Sequence, residues 1–431
     1  MTADGNGSAE EGFAKVNDPG LPQVVSWNLT ARCNLACEHC YIDAGGRSRG
    51  DEADTAQCLA TIDQLADLNP GCLLIMTGGE PLLRPDLHEL TRAASDRGMT
   101  VVLGSNGTLI DRSVARGLAA AGVSGVGISL DSLAQPGLHD RFRGCFGAWQ
   151  SAVDGMKACR DEGLDFLVQT SVFSWNRDEL ATMADYVADL GATSWNVYFL
   201  VCTGRGQGLT DLPAAEYELV LAELAVLRQR IADRTMLVPR CAPQFKRVAD
   251  GQAAGTLPTL DSGCPAAGHY LRIDPRGRVT PCPYIPIEAG RIEPGGLAAA
   301  WYESPLFASL RNRSLLGGRC GRCEWRDACG GCRARALASG GELMAEDPAC
   351  AYQPGGGSST LPVGDALYSR EARTTMPWSE EARDRLQRIP SFVRGLVVER
   401  VERQARGRGV SMVTSDMLRR QRPSLAAVLR R

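Results

Sequence analysis

Between residues 31 and 45 the chain reads ARCNLACEHCYIDAG, which sets Cys33, Cys37 and Cys40 within eight positions and Tyr41 directly after them. CxxxCxxC offers three thiolates on one loop. A structural zinc site takes four ligands, typically from paired CxxC knuckles, and no fourth ligand is obvious nearby. A [4Fe-4S] cube has four irons to ligate, so three protein thiolates would leave one iron open to chelate a substrate or cofactor. A second set follows at Cys264, Cys282, Cys320, Cys323, Cys329, Cys332 and Cys350. Its CxxC steps would also suit a zinc ribbon, but seven thiols do not divide into four-ligand sites. A third stretch, HDRFRG, carries Arg141 and Arg143, whose planar forks suit bidentate carboxylate binding unless they serve the fold.

These residues need a frame. Short apolar runs rich in β-formers (QVVSWNLT, CLLIMTG, TVVLGSN, VSGVGISLD, LDFLVQTSVF and ATSWNVYFLV) alternate with helical patterns such as DTAQCLATIDQLADL, DRSVARGLAAAG and DELATMADYVADLG. Six such units predict an α/β fold, parallel strands with crossover helices as in a partial (β/α)6 TIM-like barrel. Chemistry in that architecture sits at the C-terminal strand ends, and the three-cysteine stretch follows the first strand. The expected organisation is a flexible lead over 1–22, the barrel over 23–235, a Cys-rich unit over 236–352, a linker over 353–375 and a small basic helical domain over 376–431. The Cys-rich unit is too polar and turn-rich for a large core, so metal would help hold it.

Charge narrows the partners. The chain carries 47 basic and 50 acidic residues, which gives no whole-chain case for nucleic acid. From Glu371 onward, however, there are 14 Arg, no Lys and 7 acidic residues, so the tail is a separate piece. No stretch reaches the ~20 apolar residues of a membrane span. The N-terminus lacks the basic and apolar regions of a secretory signal, so a cytoplasmic location is expected and clustered cysteines are read as metal ligands before disulfides. Cys58, Cys72, Cys145, Cys159 and Cys202, scattered in apolar or helical patterns, are expected in the core.

CxxxCxxC followed by Tyr41 resembles the signature of the radical S-adenosylmethionine (AdoMet) enzymes, and the resemblance extends over roughly residues 23 to 235. TGGEP (Gly78, Gly79 and Glu80 after Thr77), SNGT (Ser105, Asn106) and ISLD (Ser129, Asp131) match, in order, the strand ends that line the AdoMet pocket in that family. Taken alone, GGEP could be a turn before a helix starting near Arg84. The resemblance implies a cluster on Cys33, Cys37 and Cys40 whose open iron chelates AdoMet, with Tyr41 against the adenine. One electron, from a donor such as a flavodoxin or ferredoxin, then cleaves AdoMet, and a 5'-deoxyadenosyl radical takes a hydrogen from substrate.

The second cysteine set resembles the SPASM extension and implies one or two auxiliary [4Fe-4S] clusters. The family pattern groups Cys320, Cys323, Cys329 and Cys350 in one, and Cys264, Cys282 and Cys332 in the other. The Cys329-to-Cys332 step is one residue shorter than the usual form, and Cys241 or His269 could supply a missing ligand. YLRIDPRGRVTPCPYIP and CGGCRARA are similar to the heme-pathway members of the group, which act on carboxylate side chains of tetrapyrroles. WSEEARDRLQRIPSFVR (Trp378, Glu381, Ala382, Leu386, Ile389, Pro390, Phe392, Val393, Arg394) resembles the C-terminal domain of the light-independent protochlorophyllide reductase B subunit. The expected activity is therefore removal or oxidation of tetrapyrrole carboxylate side chains, with Arg141 and Arg143 as candidate substrate contacts. A peptide maturase is the alternative enzyme, and a non-catalytic iron-sulfur electron-transfer or tetrapyrrole-carrier protein the alternative of another class.

Overall fold

The computed structural model describes residues 20–46, 50–209, 212–252, 263–355, 374–387, 398, 401–402 and 405–419. The expected lead before residue 20, most of the expected linker, and Ile389, Pro390, Phe392, Val393 and Arg394 lie outside them.

All six expected strands form, as β1 (Val24–Thr30), β2 (Leu73–Gly78), β3 (Thr100–Ser105), β4 (Val123–Ser129), β5 (Phe166–Val172) and β6 (Ser194–Phe199). The parallel sheet runs on past residue 235. β7 (Met236–Arg240) pairs with β6, and β8 (Tyr270–Ile273) pairs parallel to β1 on the other side. β9 (Arg278–Thr280) and β10 (Gly290–Arg291) extend it antiparallel, giving ten strands in the order β10-β9-β8-β1-β2-β3-β4-β5-β6-β7. β7 and β8 thus bound the parallel run on its two sides, as in a barrel left open laterally.

Alternation along each strand decides what fills each face. Val25, Trp27 and Leu29 of β1, Leu74 and Met76 of β2, and Trp195 and Val197 of β6 join the main core with the crossover helices. Ser26, Asn28, Thr77, Gln169, Asn196 and Tyr198 alternate with them and face the lumen. The helices begin where local chemistry dictates. Asp54 accepts the Gln57 N–H at 2.8 Å while the Gln57 side chain accepts from the Asp54 N–H, a capping box that starts α1 (Thr55–Leu68). After GGEP only a 3-10 turn, Pro81–Leu83, forms, and α2 starts at Leu87 rather than near Arg84. Arg84 is instead committed to Asp86 at 2.6 Å and to the Leu29 and Ala53 carbonyls.

Candidate functional site

The loop bearing Cys33, Cys37 and Cys40 leaves the C-terminal end of β1, and the three cysteines share a small cluster with Leu35, Ala44, Ile42 and Cys145. N–H donors are aimed at the sulfurs: Leu35 N lies 3.4 Å from Cys33 Sγ, Ala44 N 3.3 Å from Cys40 Sγ, and the Asn106 amide 3.9 Å from Cys33 Sγ. Burial pushes the Cys33 thiol up to about 11, helped by Cys37 and Cys40, and raises Cys37 as well. Neutral thiols are what such a pocket holds unless metal takes the protons' place. Three thiols in one packing cluster, two of them with backbone N–H donors on the sulfur, have the donor chemistry of a metal cluster.

One further segment, Gly204 and Arg205, grips this loop, and neither residue stood out in the sequence. Gly204, at φ +58° just past β6, approaches so closely that a Cβ there would meet the Cys40 and Tyr41 carbonyls at 2.5 and 2.6 Å, so only glycine fits. Arg205 beside it donates to the Cys37 carbonyl at 2.9 Å and the Ala44 carbonyl at 2.6 Å, and pairs with Asp43. Arg205→Ala leaves both carbonyls without that donor. We expect a loss of about 2 kcal/mol in holding the loop, read as faster iron release to a chelator. An unchanged release rate would remove Arg205 from this role.

GGEP supports the loop from the other side. A Cβ on Gly79 would meet the Arg32 carbonyl at 2.0 Å, and the Gly79 and Glu80 N–H groups donate to Thr30 and Arg32, each at 2.7 Å. Any ligand contact from this segment must therefore use groups other than those two donors. Glu80 is fully buried, which lifts its carboxyl to about 7 against the pull of the Asn106 and Leu82 N–H groups and the Ser105 hydroxyl. It ties the end of β2 to that of β3. Asn106 in turn donates to Asn34 at 2.8 Å.

Asp131 and Arg143 form the third support. The fully buried Asp131 pairs with Arg143 at 2.7 Å and with His139 at 3.3 Å, and accepts the Ser171 N–H at 3.0 Å. Despite burial, the Arg143 guanidinium and His139 hold its carboxyl well below the usual range. The Arg143 and Phe142 carbonyls accept the Ala36 and Glu38 N–H groups of the cysteine loop. Arg143 is thus engaged with Asp131, while Arg141 is exposed beside a recess lined by Phe142, Phe173 and Trp175. Asp131→Asn would leave Arg143 buried without its counter-charge, an expected loss of about 3–5 kcal/mol. Thermal unfolding checks this, and a change under 1 kcal/mol would count against the pair as the anchor.

Inside the lumen the structure adds residues that the motifs missed. Tyr41 accepts from the Asn28 amide at 2.8 Å, meets the Tyr284 ring edge-on at 5.2 Å, and lies under the Arg272 guanidinium at 5.7 Å. Ser129 is half-buried on the same face of β4. Tyr284 is two residues past Cys282, and its N–H lies 3.5 Å from that sulfur. The Tyr41–Tyr284 contact therefore connects the first cysteine loop to the second set.

That second set falls into two groups. Cys241, Cys264, Cys282 and Cys332 pack in one cluster with Val201, Ala266 and Ile285. Burial and the neighbouring thiols push Cys241 up to about 11 and Cys282 well above its usual value. Cys241 reaches this group from a left-handed φ of +57°. His269 is lowered to about 4 by burial and by the Arg313 charge. Cys320, Cys323, Cys329 and Cys350 line a second recess with Trp325 and Tyr352. Asp347 links the groups: its carboxylate accepts the Cys332 N–H at 2.7 Å and its own N–H lies 3.4 Å from Cys320 Sγ. Of the scattered cysteines, Cys58, Cys72 and Cys159 are core residues, but Cys145 and Cys202 are half-buried. Cys145 packs by the first loop, and Cys202 beside Phe142 and Phe173.

Comparison with known proteins agrees with this arrangement. Residues 378–422 match the family of the proto-chlorophyllide reductase 57 kD subunit. The chain is 34% identical to the AdoMet-dependent heme synthase of Methanosarcina barkeri, over 78% of this chain and 97% of that protein. It is 30% identical to the pre-heme d1 synthase of Dinoroseobacter shibae (77% and 87%) and 34% identical to the mycofactocin maturase MftC of Mycobacterium tuberculosis (83% and 90%). The crystal structure of Streptococcus suis SuiB bound to S-adenosylmethionine shares the fold at TM-score 0.61 and 18% identity, over 77% of this chain and 78% of that one. Residues 27–187, which hold the cysteine loop and the three strand ends that support it, match the radical SAM superfamily, and with these relatives they establish that the chain belongs to that superfamily and is a radical SAM enzyme.

Proposed function

We propose that the enzyme removes or oxidises carboxylate side chains of a tetrapyrrole. Membership of the superfamily implies a [4Fe-4S] cluster and AdoMet. Cys33, Cys37 and Cys40 would hold that cluster. Tyr41, Gly78, Gly79, Glu80, Ser105, Asn106, Ser129 and Asp131 would shape the AdoMet pocket, with Glu80 and Asp131 acting as buried ties rather than direct contacts. Together the cluster and AdoMet supply a hydrogen-abstracting 5'-deoxyadenosyl radical. Around it the chain's own part is positioning: Arg205, Arg143 and Glu80 fix the loop.

The observation that carries the substrate class is that two separate parts of the chain each resemble proteins named for tetrapyrroles, the main body and residues 378–422. Conversion of one propionate to a vinyl group releases carbon dioxide, one proton and two electrons; the hydrogen atom taken by the radical carries the proton and one electron, which leaves one electron over. Such an oxidation needs an acceptor. Cys241, Cys264, Cys282 and Cys332 on one side, and Cys320, Cys323, Cys329 and Cys350 on the other, would hold two auxiliary clusters suited to that task, and Tyr284, which contacts both Cys282 and Tyr41, would link the first of them to the lumen. A flavodoxin or ferredoxin would supply the electron that starts turnover.

The likeness to MftC favours a second reading, a peptide maturase. The test is to load the clusters anaerobically and titrate iron-coproporphyrin and a didecarboxylated siroheme, following the Soret band, then to add AdoMet and a reductant and look for vinyl products. Saturable binding and vinyl formation support the tetrapyrrole reading. Absence of binding to either compound would overturn it in favour of the maturase.

A further inference from the structure

Two arginines in the lumen have no carboxylate partner among the described residues. Arg272 on β8 is 6% exposed, and Arg240 on β7 is half-buried. Both occupy inward positions: Leu271 and Ile273 on one strand and Leu237 on the other face the core in alternation with them. β7 and β8 bound the parallel sheet on its two sides and do not pair, so the arginines flank its lateral gap. The cysteines that follow or surround these strands, Cys241, Cys264 and Cys282, pack together, which brings the two sides near each other at this end.

Their contacts in the structure are with neutral groups. Arg272 donates to the Asn28 side-chain oxygen at 2.6 Å and covers Tyr41, and Arg240 donates to Asn196 at 3.4 Å. An amide oxygen and an aromatic face compensate a buried guanidinium only in part, because neither brings a full negative charge. Around them stand the half-buried rings and hydroxyl groups of Tyr41, Tyr198, Tyr270 and Tyr284. Planar aromatic walls, hydroxyl donors and two uncompensated cations across a gap suit a flat molecule with carboxylates on its rim.

We propose that Arg240 and Arg272 form a two-point clamp for side-chain carboxylates of the substrate, holding a tetracarboxylate macrocycle across the open side of the barrel. The proposal rests on the tetrapyrrole reading and names the residues that would receive it. It also assigns substrate recognition to residues other than Arg143, which Asp131 already occupies.

Arg240→Gln, Arg272→Gln and Arg272→Lys, each loaded with clusters, are titrated with iron-coproporphyrin and, as a probe lacking carboxylates, iron octaethylporphyrin in detergent. AdoMet retention is measured in parallel, and electron paramagnetic resonance of the reduced clusters reports any disturbance at the neighbouring Cys241. We expect each Gln variant to bind iron-coproporphyrin about 10- to 100-fold more weakly, the Lys variant to fall between, and octaethylporphyrin binding, AdoMet retention and cluster spectra to stay unchanged. Wild-type affinity for iron-coproporphyrin in both Gln variants would overturn the clamp while leaving the tetrapyrrole reading intact. Loss of AdoMet retention with porphyrin binding preserved would overturn it by assigning Arg272 to the AdoMet carboxylate. If the wild-type protein binds neither porphyrin, the tetrapyrrole reading itself fails and the clamp with it. Should Arg272→Gln fail to load iron, Arg272→Lys and Arg240→Gln carry the same comparison.

Discussion

Replacing Cys37 with alanine is expected to abolish AdoMet cleavage while leaving most of the protein's iron in place. Burial raises the Cys33 thiol to about 11 and raises Cys37 as well. Metal binding must therefore displace protons from these thiols, and it is favourable only when the full set of ligands acts together. With Cys37 gone, two thiols and an Arg143 side chain 3.9 Å from the missing sulfur remain, and that cation disfavours any replacement metal. Loaded iron should drop by about four atoms per chain, one cluster's worth. The groups at Cys241, Cys264, Cys282 and Cys332 and at Cys320, Cys323, Cys329 and Cys350 lie in other packing clusters and should retain theirs. Iron content and the yield of 5'-deoxyadenosine after reduction measure both halves. Wild-type yield in Cys37→Ala would show that AdoMet chemistry does not depend on this loop. The matching change Cys323→Ala should do the reverse, keeping 5'-deoxyadenosine formation while impairing product oxidation.

Sequence patterns located this site because its parts are local. CxxxCxxC, GGEP, SNGT and ISLD each lie at one strand end, and apolar periodicity fixes where strands end. What the patterns missed depends on contacts made across long separations. Arg143 reads as a carboxylate receptor by residue type, but its partner Asp131 comes from the preceding strand end, and only the fold brings them together. Arg205 sits in an unremarkable TGRG, and its value comes from carbonyls some 160 positions earlier. Cys241, which the sequence offered beside His269 as the missing ligand, packs with Cys264, Cys282 and Cys332 from a left-handed turn, a choice between the two that only the fold makes. β8 was hidden for a different reason. Four residues between turn signals carry little periodic information, yet pairing with β1 makes it part of the sheet and points Arg272 inward.

Removing residues 374–431 is expected to cost both stability and substrate binding, because this segment closes one mouth of the barrel. Leu73, Val102 and Leu167 lie at or near the N-terminal ends of their strands and alternate with residues of the main core, so they face the lumen. They pack in one cluster with Trp378, Ala382, Leu386, Val401, Ala405, Val413 and Leu418, with Val24 and Ile75 against it. The tail is therefore no separate appendage: among the described residues its apolar side is the floor of the barrel, opposite the cysteine loop. Glu402 fixes that floor by accepting from the Trp378 indole at 2.9 Å and from the Thr375 N–H at 2.8 Å. Exposing the three inward strand residues alone should cost on the order of 5 kcal/mol, and Trp378→Ala about 3–5 kcal/mol, both read from denaturant unfolding of the cluster-loaded enzyme. An open floor also admits water to the lumen, so the truncated enzyme should lose porphyrin affinity and spend AdoMet without forming product, even though its cysteine loop is untouched. Trp378→Phe keeps the apolar contact but loses the bond to Glu402, and should lie between the full-length enzyme and Trp378→Ala. If truncation leaves porphyrin binding and the ratio of product to 5'-deoxyadenosine unchanged, the tail serves only to stabilise the fold, and the polar upper half of the lumen is sufficient by itself to hold the substrate.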